Sequence, residues 1–542
     1  MRFLVATLGL LIVAQRILNE LYKYRACKRP TQHDKLMPVI ELTEDGHVEK
    51  LEPFGEYVVR QLGIMTPDGD SRLSKLAEEY LRGDKSNSDR SRESILLYLS
   101  DMCPEDEIES LYKVITDELD SCILSYFAFH WDHSMFTINQ VLQINSPKNK
   151  LQSAVYSATR EQSAQRIVKN LKTKSVFSTL LQESKAIGHL PNLPSEHLPS
   201  LPNETNVVMP LLAKDRSPVL LLIGGGMGVG KSTAVKDIMK SPFWSNAAKD
   251  AVVVEADAFK ETNVVYQALN SSGHHDLLEA SELVHHESTD AAESLLVTAL
   301  NEGRDVIFDG TMSWEPFVKQ TIDMARDVHW RQYRRGPGYK RAEDGSVLEK
   351  YWEPVEDTDP PNGLKTNDKQ LENGRKPYRT ELVGVICDAH LAVVRGVRRA
   401  IMTKRAVRVK EQLNSIKRFA VALPNYYDLV DQVNIFSTND IGGPAKIIGW
   451  KERQSKLLVD PENLNAVTKL AFLNENARSM YELYGSLNDT VELDKAMKEA
   501  LSPERALRQK QLLSKIQSIE THLLHRNSSS IKSSHSASSL ML

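Results

Sequence analysis

The sequence predicts an α/β protein built on a parallel, P-loop-type sheet, with a mainly helical region before it and more helices after it. Three observations carry that prediction. From about residue 217 aliphatic runs alternate with helical segments, a pattern that implies parallel pairing through crossover connections. The first run leads into a glycine-dense stretch, GGGMGVGKST, 224–233, at the head of a helix. The length of 542 residues exceeds what a single core fills, so more than one domain is expected. Charged residues at 26% and hydrophobic residues at 41% are ordinary for a globular chain, and a net charge of −4 gives no reason to expect nucleic acid as a partner. The four cysteines, Cys27, Cys103, Cys122 and Cys387, form no CxxC or Cys/His cluster, which argues against a zinc site or a disulfide framework and for a reducing compartment.

Taken in order, the elements begin with an apolar run from Phe3 to Ala14, followed by Arg16, Lys23, Arg25, Lys28 and Arg29. The run is shorter than the roughly 20 residues of an ordinary span. The cleavage-site pattern of a secretory signal is poor, and transit peptides are richer in serine and less apolar. An uncleaved anchor over 1–29 is expected, with the bulk of the chain in the cytosol; a buried N-terminal helix is the alternative. Residues 30–188 read as helical, from segments such as SRLSKLAEEYLRG with apolar residues at helical spacing. The proline-rich stretch 189–216 reads as a linker. A domain over 217–455 follows, with strands expected at 218–223, 251–255, 305–309, 381–387 and 431–437. Helices are expected at 231–240, about 276–301, 315–327 and 389–421. An insert at 334–379 contains Asp344-Gly345, the pair a hairpin turn favours. Helices are expected over 456–525, and a disordered serine-rich tail over 526–542.

Gly225–Ser232 satisfies G-x-x-x-x-G-K-[ST] in the required context, after a buried strand and before a helix. Bare glycine backbone turns its N–H groups around phosphate oxygens, and the helix N-terminus adds positive potential there. Gly225, Gly226, Met227, Gly228, Val229, Gly230, Lys231, Ser232 and Thr233 are therefore the expected cradle for ATP. Lys231 is placed to reach the outer phosphates, and Ser232 offers a hydroxyl to Mg²⁺. Asp257, just past the C-terminal edge of the second strand, is a candidate base for an acceptor hydroxyl, with helix capping as the alternative. Asp309 ends the third strand where a carboxylate orients Mg²⁺, and Thr311 is a candidate acceptor contact; capping is again the alternative. His285 and His286 are adjacent and do not share a helix face, which argues against metal ligation. Glu287 is either an acceptor contact or a solvated residue in a first helical turn. The basic stretch from Arg395 to Lys410 is either a solvated face or a lid whose guanidinium groups meet the transferring phosphoryl, with Arg399, Arg405 and Arg408 as the candidates.

Taken together, GGGMGVGKST, EADAFK, HHES, VIFDGT and the arginine-rich lid resemble the zeta toxin family of P-loop kinases over about 217–440. The resemblance implies that Asp257 is the catalytic base, Lys231 the phosphate-binding lysine and Glu287 the residue that seats the acceptor. The whole layout is similar to a plant branch of that family, the calmodulin-dependent NAD kinases. This implies transfer of the ATP γ-phosphate to the 2′-hydroxyl of NAD⁺, Ca²⁺ acting only through calmodulin, and placement on the mitochondrial outer membrane with the kinase domain facing the cytosol. Other cytosol-facing membranes and the mitochondrial interior are the alternatives. The same resemblance makes 30–188 a regulatory domain with a calmodulin-binding segment at about 160–188. There Arg166, Lys169, Lys172 and Lys174 accompany the apolar Ile167, Leu171, Phe177, Leu180 and Leu181, with Ile167 and Leu180 thirteen residues apart. Such a segment is expected to restrain the kinase domain until calmodulin wraps it; an amphipathic helix packed on its own domain is the bland alternative. A nucleotide-sugar kinase acting on UDP-N-acetylglucosamine and a non-catalytic calmodulin-binding module are the competing functions.

Overall fold

A short antiparallel hairpin and four helices make up most of the N-terminal part of the computed structural model. The structure describes residues 36–43, 48–64, 72–83, 88–100, 105–128, 131, 138, 150–187, 216–271, 281–341, 345–355, 376–403, 405–440, 443–453, 455–484, 502 and 504–516. The expected anchor, all but the last residue of the linker, most of the polar part of the insert and the serine-rich tail lie outside them. Among the described residues, no helix is long and apolar enough to cross a membrane.

The chain divides into two units, 1–137 with 492–542, and 138–491. In the first, β1 (Ile40–Leu42) pairs with β2 (Val48–Leu51), and α1 (Phe54–Leu62), α2 (Arg72–Arg82), α3 (Ser88–Ser100) and α4 (Glu105–Ala128) follow. Phe54, Tyr57, Tyr126 and Phe127 pack ring against ring, and the Tyr126 hydroxyl donates to the Glu52 carbonyl at 2.6 Å. Helical residues 504–516 complete this unit. Arg505 is buried there and donates to Glu118 through two bonds, of 2.8 and 3.2 Å. The helices expected over 456–525 are shared between the two units, and the last described one supplies a buried charge to the N-terminal core.

The second unit opens with a long helix, α5 (Lys150–Ile187), and then alternates as expected. Its strands are β3 (Val219–Gly224), β4 (Val252–Glu255), β5 (Val306–Asp309), β8 (Arg379–Ile386), β9 (Gln432–Ser437), β10 (Lys446–Glu452) and β11 (Leu458–Val459), counting a separate hairpin as β6 (Tyr333–Arg341) and β7 (Val347–Pro354). They form one seven-stranded sheet in the order β11-β10-β9-β8-β3-β5-β4. β9, β8, β3, β5 and β4 are parallel, and β10 and β11 are added antiparallel at one edge. The helices are α6 (Lys231–Ile238), α7 (Trp244–Ala247), α8 (Ala256–Thr262), α9 (Val264–Ser271), α10 (His285–Asn301), α11 (Glu315–Asp327), α12 (Ala389–Thr403), α13 (Val409–Tyr426) and α14 (Pro461–Ala471). β3 is buried throughout, as a strand flanked by others and covered on both faces must be.

Register explains why the site lies where it does. Ile223 stands opposite Asp309, and Asp309 opposite Glu255, so β3, β5 and β4 end in line at one edge. In the insert, β6 and β7 pair with a register shift between Arg335 and Gly338, around Pro337, which has no N–H to give to the ladder. Gly345 closes that hairpin with φ +83°, a conformation that suits glycine.

Candidate active site

The loop after β3 is bare because its surroundings leave no room for side chains. A Cβ on Gly226 would lie 2.3 Å from Ile416 Cγ1, and one on Gly228, whose φ is +81°, 2.3 Å from the Ala392 carbonyl oxygen. Gly230, at φ +87°, precedes α6 without any side-chain cap, so the first amides of that helix stay available to an anion. α13 braces the loop from outside: Ser415 Oγ accepts the Met227 N–H at 3.0 Å, and Gln412 Nε2 donates to the Met227 carbonyl at 3.0 Å. Ser232 and Thr233 are exposed in the first turn of α6.

Lys231 folds back to donate to the Gly225 carbonyl at 3.2 Å and lies 4.0 Å from Asp309 Oδ1. Burial lowers the Lys231 pKa against the attraction of Asp309 and Asp257. Burial pushes Asp309 up to about 6, with Lys231 opposing the rise and Glu255 and Asp257 adding to it. Lys231 and Asp309 thus approach each other at the edge where β3, β5 and β4 end in line. A half-buried carboxylate at the end of β5 and a helix-start serine hydroxyl are both hard-oxygen donors of the kind Mg²⁺ takes, so Asp309 and Ser232 suit that ion by their chemistry.

Asp257 lies in the first turn of α8 and is not its cap, since Glu255 holds that position and no side chain caps the helix. Its carboxylate instead accepts from Arg399 at 3.0 Å and faces Lys260 at 3.7 Å. Burial pushes the Asp257 pKa up, but Lys260, Arg399 and Arg405 overcome it and hold the group below the usual carboxylate range. Arg399 reaches Asp257 from α12. Arg405 lies against Glu261, one turn beyond Asp257, and Arg408 pairs with Glu282 at 2.8 Å. Arg399 thus pairs with Asp257 and Arg405 with Glu261 on the same helix, whereas Arg408 is an exposed partner of the segment before α10.

The loop after β5 is held in an unusual shape. Met312 is buried with φ 49°, its carbonyl accepts from the Tyr426 hydroxyl at 2.9 Å, and the Thr311 carbonyl accepts the Gly225 N–H at 3.2 Å. A left-handed non-glycine residue pinned from two sides is strain that the surrounding structure over-determines. Thr311 Oγ1 is 2.8 Å from Ser313 Oγ and caps nothing, because Trp314 occupies the cap position of α11. Glu287 sits in the first turn of α10, where its carboxylate accepts from Ser175 at 2.8 Å and from Asn263 at 3.2 Å.

Residues 206–332 match the model of the zeta toxin family. The calmodulin calcium-dependent NAD kinase of Arabidopsis thaliana is 50% identical over 490 residues, which cover 90% of this chain and 88% of that one. This chain belongs to that family of P-loop kinases. It is an enzyme, a phosphotransferase. Among solved structures, the PezAT toxin–antitoxin system of Streptococcus pneumoniae is similar with a TM-score of 0.30 at 13% identity, over 55% of this chain and 88% of that one. An AvrRxo1-ORF1:ORF2 complex with ATP is similar with a TM-score of 0.30 at 16% identity, over 56% and 77%.

Within this kinase the insert's aromatic residues divide into two kinds. Tyr351 and Trp352 pack on Phe317 at ring distances of 5.2 and 5.6 Å, and the Trp352 indole donates to Thr321 at 3.0 Å. Tyr339 is exposed and meets Trp314 edge to face at 6.1 Å. Three participants escaped the sequence reading. Lys260 was legible, being three residues after Asp257 and hence on its helix face. Asn263 and Ser415 gave no signal, because each acts through a neighbour far away in the chain.

Along α5, Arg166, Lys169, Lys172 and Lys174 are exposed, as are Phe177, Leu180 and Leu181. Ile167 and Leu171, with Val168, pack instead on Val265, Tyr266, Leu269 and Val284. The segment read from sequence as a tethered regulatory helix thus belongs to the unit that carries the sheet.

Proposed function

We propose that the protein transfers the γ-phosphoryl group of ATP to the 2′-hydroxyl of the NAD⁺ adenosine ribose, giving NADP⁺ and ADP, and that Ca²⁺–calmodulin acting on α5 raises the rate. The observation that carries the catalytic part is the Asp257–Arg399 pair, in which Asp257 lies two residues past the end of β4, at the sheet edge where β3 leads into the glycine loop and Lys231. An ionised Asp257 accepts the proton of the incoming hydroxyl as its oxygen forms the new P–O bond and the bond to the ADP oxygen breaks. Arg399, released from Asp257 by that proton, is placed to meet charge on the transferring group, as is Lys231. Mg²⁺, held by Ser232 and Asp309, would supply charge neutralisation on the phosphates. The loop amides and the brace from α13 hold ATP in line, which is most of what phosphoryl transfer asks of a protein.

The name of the Arabidopsis relative supports NAD⁺ as acceptor and calmodulin as regulator. The exposed basic residues and the Phe177, Leu180 and Leu181 side chains of α5 support a calmodulin contact. The test offers the purified chain ATP–Mg²⁺ with NAD⁺ or UDP-N-acetylglucosamine, with and without Ca²⁺–calmodulin. NADP⁺ formation that rises with Ca²⁺–calmodulin is expected, and phosphorylation of the nucleotide-sugar alone would overturn the acceptor assignment.

A further inference from the structure

Ser175 is buried where its neighbours on α5 are not. Lys172, Thr173, Lys174, Val176 and Phe177 are exposed, yet Ser175 is 0% exposed. Its hydroxyl donates to Glu287 Oε2 at 2.8 Å and accepts from Asn263 Nδ2 at 2.9 Å. The amide cannot turn away, because Asn263 Oδ1 accepts the Val265 N–H at 2.9 Å at the start of α9. A carboxylate and an amide N–H therefore close on one alcohol, the first accepting its hydrogen bond and the second donating to its lone pair. Asn263 directly follows α8, the helix that carries Asp257, and Lys260 of α8 donates to Ser281 just before α10 at 3.0 Å. The hydroxyl-binding pair thus stands where α8, the helix that carries Asp257, packs against α10.

We infer that Asn263 and Glu287 together form a subsite for a hydroxyl of the acceptor's ribose, and that Ser175 is its resident occupant, so that α5 lifts away before the acceptor seats. The inference rests on the kinase reading above and adds the occupant and the second half of the subsite. The grip of α5 is apolar at one end, where Ile167, Val168 and Leu171 pack on α9 and on Val284. At the other end Phe177 is 69% exposed and Leu180 52%. A partner with two apolar clefts engages Phe177 and Leu180 while the helix is docked, and reaches Ile167 and Leu171 only by detaching it. Completing that embrace withdraws Ser175 from Glu287. The fraction of molecules able to take the acceptor then rises, and the apparent acceptor affinity rises with it.

The test follows NADP⁺ formation by the full chain and by Ser175→Ala over a range of NAD⁺ concentrations, with and without Ca²⁺–calmodulin. Hydrogen exchange of segments 263–271 and 284–290 is followed in parallel. Ser175→Ala, which removes both hydrogen bonds, is expected to lower the calmodulin-free KM for NAD⁺ by roughly 5- to 100-fold, with the calmodulin-saturated rate unchanged. Ile167→Asp, which loosens the same helix from its apolar end, is expected to lower the calmodulin-free KM likewise, though it also weakens the calmodulin contact, and calmodulin is expected to speed exchange in both segments of the unaltered chain. A calmodulin-free KM unchanged or raised in both variants overturns the proposal, as does exchange that calmodulin leaves unaltered. Exchange that rises while no NADP⁺ forms under any condition would remove NAD⁺ as the acceptor and retain the occluding helix.

Discussion

Asp257 and Asp309 stand at the same sheet edge but in opposite electrostatic states, and their variants should separate chemistry from metal binding. Asp257→Asn is expected to lower kcat by about 10²- to 10⁴-fold, the usual worth of a general base, while ATP binding measured by titration persists. Asp257 is held below the usual carboxylate range, so its ionised form is already complete at neutral pH and contributes no limb to the rate profile there. Asp309 behaves differently. With its pKa at about 6, it is protonated and neutral below that pH and ionised above it. The Mg²⁺ concentration for half-maximal rate should therefore climb as pH falls through about 6, and saturating Mg²⁺, which favours the ionised form, should move that limb to lower pH; a flat Mg²⁺ requirement between pH 5 and 7.5 would contradict this. Both carboxylates were legible because each follows an aliphatic run at the edge where ligands of open α/β sheets bind. Their partners were less so, since Arg399 is 142 residues from Asp257 and one of several arginines in its stretch.

At the scale of elements, α13 shows how a helix shapes a phosphate loop. Gln412, Ser415, Ile416 and Phe419 follow one another at helical spacing, and they meet Gly228, Met227, Gly226 and Gly224 in turn. Gly226→Ala is expected to destabilise the protein by about 1–3 kcal/mol, as overpacking does, and to weaken ATP binding. Thermal melting and ATP titration would read both effects. Ile416→Ala should not rescue it, because the new Cβ would also lie 2.7 Å from Ile416 Cα, which no side-chain truncation removes. The five parallel strands and α11 were readable from periodicity. β10 was not, since Gly449 and exposed residues at both ends blur its pattern. α8 and α9 were missed because Asn263 interrupts the apolar spacing while its side chain caps the second helix, a role visible only once the fold brings the two together.

For the whole molecule, the sequence showed that α5 has an apolar face but not what that face covers, so its assignment to the N-terminal helices gave way to docking on the kinase unit. The reverse holds for residues 504–516, which join the N-terminal unit through Arg505. Arg505→Met strands Glu118 in the core and should cost that unit about 3–5 kcal/mol, as loss of one partner of a buried pair does. Faster hydrogen exchange across 54–128, with unchanged exchange in 219–309, is the expected readout. The same pair sets a timetable for biosynthesis. Glu118 and Arg505 are 387 residues apart, so a nascent chain carries the carboxylate out of the ribosome long before its counter-charge is made. The segment 138–491 is continuous in sequence, whereas the N-terminal helices can finish closing only after residues 504–516 have been made and bring the missing cation.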